Sequence, residues 1–136
     1  MNPCGDCHAC CILLPIAALT KPAGLPCSYL HTDGPNPGCG VYRVRPGCCA
    51  SFRCWWLAES SDPDLRPDRA GVMLTHSPSE AGLTITVWEL RPGVLREAMD
   101  LWRKRAEQEP IALHFHGGPS ILLGRDGREH RIAQPF

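Results

Sequence analysis

No apolar run in this chain approaches the ~20 residues that a helix needs to cross a bilayer. The longest candidate, residues 12–19, is short and broken by Pro15, so no membrane contact is expected. Neither sign of charge is in excess: 14 basic residues stand against 14 acidic ones. That balance leaves no footprint for nucleic acid and no sign of an acidic partner. A Gly-rich phosphate loop, an HExxH helix and a nucleophile spaced to a base are all missing, so the sequence reads as a non-enzyme. No basic and apolar leader precedes Cys4, which predicts a reducing, cytoplasmic setting. Residues 55–136 contain no cysteine.

All nine cysteines therefore crowd into the first 54 residues, at Cys4, Cys7, Cys10, Cys11, Cys27, Cys39, Cys48, Cys49 and Cys54. Metal ligation and disulfide bonding both gather thiols, under opposite redox conditions. An odd count leaves one thiol unpaired in a disulfide framework, and CxxC spacing brings two sulfurs to one ion on a short turn. Metal is the expected reading.

Residues 1–60 also hold seven prolines and six glycines, too many breakers for long helices or a regular sheet. A lobe of that size is marginal on hydrophobic burial alone. Bound structural zinc, which contributes about 10–16 kcal/mol to the folding of small peptides, would make up the difference. Residues 61–69 are polar and proline-bearing and read as a connector. The expected organisation is a cysteine-rich metal-chelating lobe over residues 1–60 and a small α+β lobe over residues 61–136, of separate stability.

The second lobe is periodic. A short strand is expected over residues 71–76, and Leu83, Ile85 and Val87 alternate with Thr84, Thr86 and Trp88 in a second. Leu95, Ala98, Met99, Trp102 and Ala106 recur at helical spacing, so residues 94–108 read as one principal helix. Asp100 and Lys104 form a favourable i,i+4 pair, and Pro110 bars continuation. Ile111, Leu113 and Phe115 alternate in a third strand, and residues 120–132 read as a hairpin turning near Asp126-Gly127. The fold class is α+β, with an irregular lobe followed by a mostly antiparallel sheet.

The cysteine pattern resembles the CxxCxxCC family of zinc- or iron-chelating domains found in bacteria. The residues that carry the likeness are Cys4-x-x-Cys7-x-x-Cys10-Cys11, Cys27-Ser28-Tyr29-Leu30, Cys39-Gly40-Val41-Tyr42, Arg45-Pro46-Gly47-Cys48-Cys49 and Phe52-Arg53-Cys54. They span residues 1–57. The resemblance implies metal chelation by Cys4, Cys7, Cys10, Cys11, Cys27, Cys39, Cys49 and Cys54, and leaves Cys48 as the odd one out.

Eight thiols exceed the four that one tetrahedral ion uses, which favours two Cys4 sites or one polynuclear cluster. Adjacent Cys10 and Cys11 point apart, so they are expected to serve different ions or to bridge a pair. Zinc is the expected metal, with iron, as an iron–sulfur cluster, and copper(I) as alternatives. The function expected is a binding or interaction module with structural metal; the other classes are iron–sulfur electron transfer and zinc or copper handling. A protein partner is compatible with this reading, but no residue identifies one.

Other residues receive ordinary readings. His8 is expected to hydrogen-bond a thiolate or face water, His114 and His116 to share the solvated face of a strand, and one or both of Trp55 and Trp56 to pack in a core. Arg43, Arg45 and Arg53 are expected to neutralise thiolates. Arg103, Lys104 and Arg105 read as a solvated helix face.

Overall fold

The computed structural model describes residues 7–31, 38–60, 62–79 and 82–134, and side chains in strands except for residues 77–83. Its first part is made of short pieces. Helix α1 (Ala9–Leu13) leads into a 3-10 turn at Ala17–Leu19, and a two-residue ladder joins β1 (Leu30–His31) to β2 (Gly38–Cys39). Helices α2 (Gly47–Ser51) and α3 (Trp55–Glu59) follow, then α4 (Pro67–Ala70), with prolines at or beside several starts. Proline suits a first turn because its missing N–H would be unpaired there, and it prevents the longer helices that a regular core would need.

Beyond Gly71 a five-stranded sheet forms from β3 (Val72–Ser79), β4 (Gly82–Glu89), β5 (Ile111–His114), β6 (Ser120–Leu123) and β7 (Glu129–Arg131). Strand order follows chain order. Three of its four pairings are antiparallel, and β4–β5 is parallel. A parallel neighbour requires a crossover, and helices α5 (Val94–Glu97) and α6 (Met99–Ala106) supply it. The chain is thus α+β with a mostly antiparallel mixed sheet, as its periodicity predicts.

The expected single helix is broken at Ala98, where φ is −109° and ψ is 17°. The Ala98 amide bonds the Leu95 carbonyl, three residues back, at 3.2 Å, which tightens the turn and restarts the helix. Upstream, the Glu89 carboxylate accepts the Leu95 amide at 2.9 Å and fixes where α5 begins. Asp100 meets Arg103, not Lys104, at 3.6 Å, because Arg103 also reaches Glu129 at 3.7 Å. The β6–β7 turn falls where expected: Asp126 accepts the Arg128 amide at 2.9 Å, and Gly127 takes the positive φ of 79°.

Alternation along the strands produces two buried faces. One carries Val87, Ile111, Leu113, Ile121 and Leu123 against Leu95, Met99 and Ala106 of the crossover helices. The other carries Met73 and Trp88 against Ala9, Leu13, Cys54 and Trp56 of the cysteine-rich part. This second cluster crosses the expected boundary at residue 60. Trp56 lies buried there and donates its indole N–H to the Asp62 carbonyl at 2.7 Å. The cysteine-rich part, the sheet and the helices therefore stack as three layers.

Candidate functional site

The cysteines reach one place by different local routes. Cys10 and Cys11 are neighbours on α1, whose side chains are set roughly 100° apart by 3.6 residues per turn. Cys27 is buried, and its amide donates to the Cys11 carbonyl at 2.9 Å, which ties the 20s segment to α1. Cys39 sits on β2 opposite Leu30. Cys48 and Cys49 lie in the first turn of α2, where the Cys49 amide bonds the Pro46 carbonyl at 2.9 Å. Cys54 caps α3 and is buried on Trp56 and Met73.

These routes converge. Cys7, Cys10, Cys11, Cys27, Cys39, Cys48, Cys49 and Cys54 all line one cavity of about 890 Å³. All eight are free thiols. Phe52, Trp56 and Met73 supply apolar wall, and His8, Arg45 and Arg53 also border the space. Cys4, the remaining expected ligand, lies outside the described residues. Cys48, the expected odd one out, is exposed at the rim, whereas Cys49 is half-buried.

Among the described residues, no three His, Cys, Asp or Glu side chains are gathered closely enough to hold an ion as they stand. The thiols surround a volume and do not converge on a point. Closure on a metal would therefore draw side chains inward from short helices and loops.

The thiols sense one another. A hydrogen bond from Cys10 brings the Cys11 thiol down to about 7, against the opposing effect of burial, with the Lys21 charge helping. Burial, then neighbouring Cys48, pushes Cys49 up to about 11. Cys7 is raised, chiefly by burial.

Lys21 was not anticipated as part of the site. It is buried, and its ammonium donates to the carbonyls of Ile12 at 3.2 Å, Leu14, and Pro22 at 3.1 Å. Burial lowers its pKa, while Cys27, Cys11, Cys10 and Cys49 pull it back up, in that order of strength. The one available signal was that Lys21 is the first basic residue of the chain, set directly after an apolar run.

The arginines behave differently from expectation. Arg45 lies over the Tyr42 ring at 3.9 Å and donates to the Tyr42 carbonyl at 2.7 Å, so its charge is partly engaged at the rim. Arg43 is exposed.

His114 and His116 divide. His116 is exposed, but His114 is half-buried, tilted on Trp88 with ring centroids 4.3 Å apart, and its Nδ1 lies 2.6 Å from Ser120 Oγ. The face that alternation marked as solvated is covered by the cysteine-rich layer. A second cavity of about 320 Å³ adjoins this pair. Glu89 borders it, but its two carboxylate oxygens accept the Leu95 and His116 amides and so do not orient His114. A serine–histidine pair without that third group is read here as structural.

No helix among the described residues is long and apolar enough to cross a membrane. Comparison with family models, with curated proteins and with solved structures gives no match.

Proposed function

We propose that this chain is a metal-binding protein whose thiol-lined cavity takes structural zinc, two ions per chain, and that the lobe so organised serves as a binding or interaction module. The observation that carries the reading is that every described cysteine, from four stretches of chain, borders the same cavity. Soft, thiolate-only donors suit zinc, and four-sulfur coordination leaves no open position for catalysis.

The local architecture supports a structural role for the ions. Helices α1, α2 and α3 have only five residues each, too short to persist without tertiary support. Metal would cross-link them, and the loss of loop entropy would be offset by metal–sulfur bonding. The likeness to the CxxCxxCC family points the same way. A reducing, cytoplasmic location belongs to the same proposal, since the thiols must stay free to ligate.

Elemental analysis of anaerobically purified protein tests it. About two zinc equivalents per chain are expected. Brown protein with iron and acid-labile sulfide would establish the iron–sulfur reading, and rapid loss of the metal to a chelator would favour metal handling. Purified protein that neither carries nor takes up a thiophilic ion would overturn the proposal.

A further inference from the structure

We propose that the thiols form a binuclear site divided across α1. Cys11, Cys27 and Cys49 hold one ion beside Lys21; Cys7, Cys39 and Cys54 hold a second near Trp56; and Cys10 is the sulfur shared by both. The inference rests on the metal-binding reading above and adds which thiols act together.

Two sets of neighbours define the division. On one side, the charge of Lys21 acts on Cys27, Cys11, Cys10 and Cys49, and Cys49 in turn lies within electrostatic reach of Cys11 and Cys27. The Cys27–Cys11 backbone hydrogen bond at 2.9 Å holds two members of this set together. On the other side, Cys54 belongs to the apolar cluster of Ala9, Leu13, Trp56, Met73 and Trp88, and Cys7 and Cys10 pack against it. Cys11, Cys27 and Cys49 are not part of that cluster. Cys7 also faces Arg66 and Asp68 beside the sheet, away from Lys21.

Cys39 joins the second set through β2. A Cβ placed on Gly38 would meet His8 Cε1 at 3.8 Å, so the strand carrying Cys39 runs beside the residue that follows Cys7. Cys10 alone has neighbours in both sets: it senses Lys21, it hydrogen-bonds Cys11, and it touches the Trp56 cluster. Helix geometry explains why Cys10 and Cys11 part company, because adjacent residues on α1 face different sides.

The count then closes. Two tetrahedral ions need four sulfurs each, and seven thiols suffice when one bridges. Cys48 is left exposed at the rim, as its position suggests. Each ligating thiol gives its proton to solvent as its sulfur takes the metal, so the assembled site is anionic. The buried ammonium of Lys21 is placed to offset part of that charge.

The test uses the full chain, purified without oxygen and loaded with cadmium-113. A cadmium–proton correlation spectrum of the unaltered protein reads which cysteine Cβ protons couple to which ion. Two cadmium resonances are expected, one coupled to Cys11, Cys27 and Cys49, the other to Cys7, Cys39 and Cys54, with Cys10 coupled to both. Cys27→Ser should displace one resonance and Cys10→Ser both. Coupling of Cys27 and Cys54 to the same ion, a single resonance, or Cys10 coupled to one ion alone would overturn the division while leaving metal binding intact. Failure to take up cadmium would instead remove the metal-binding reading on which the division stands.

Discussion

Met73 and Trp88 face each other directly across β3 and β4, and both press on Leu13 and Trp56 of the cysteine-rich layer. The same row continues through His114 on β5 to Ser120 on β6. This line of side chains is where the thiol-bearing segments meet the sheet, and the indole N–H of Trp88 is satisfied within it by Thr75 Oγ1 at 2.9 Å.

Met73→Ala should therefore cost about 2–5 kcal/mol, the range for truncating a fully buried long side chain. Met73 also borders the thiol-lined cavity. Denaturant unfolding measures the loss, and a change below about 0.5 kcal/mol, as at an ordinary surface site, would show that the two layers are not packed as described.

Glu89 is buried, with one oxygen on the Leu95 amide at 2.9 Å and the other on the His116 amide at 3.0 Å. It joins the start of α5 to the β5–β6 turn. Glu89→Ala should lose roughly 2–4 kcal/mol by stranding two buried donors. Hydrogen exchange should speed at Leu95 and His116 first; unchanged rates there would contradict the assignment.

Burial lowers the pKa of His114, so the folded chain holds the neutral imidazole more firmly than the unfolded chain does. Unfolded protein then binds more protons between the depressed folded value and about 6.5. Stability supplied by this residue is full above that upper bound and declines as pH falls through the folded value. Comparing melting temperatures of the wild type and His114→Gln over this range isolates the effect. Parallel curves for the two proteins would count against it.

Cys48→Ser should leave metal content unchanged, whereas Cys49→Ser should lower it. Cys49 is half-buried and senses Cys11 and Cys27; Cys48 is exposed. Equal loss of metal from the two variants, read by elemental analysis, would show that the vicinal thiols share the work.

Stripping metal with a chelator should release the amides of α1, α2 and α3 while Leu113 and Ile121 stay protected. Those two residues lie on the sheet face covered by α5 and α6, remote from the thiols. β3 should respond partway, because Met73 leans on the cysteine-rich layer. Segment-resolved hydrogen exchange distinguishes this from uniform loss, which would mean one cooperative unit organised by metal.

Period-two and period-four patterns in residues 71–132 suffice to place four of the five long-sheet segments and the crossover helix, because alternation of apolar residues is a local property of the chain. The cysteine spacing likewise marks a soft-metal donor set without any structure. What covers a face is not local. Thr86, Trp88, Ala112 and His114 read as an outer surface until the cysteine-rich segments fold over it, which buries Trp88 and half-buries His114. The parallel β4–β5 pairing depends on where the crossover helices dock, and the role of Lys21 on loops that bring Cys27 and Cys49 to α1. Sequence determined which residues could ligate and which could pack; tertiary structure alone decided which of them meet, because those meetings join segments far apart in the chain.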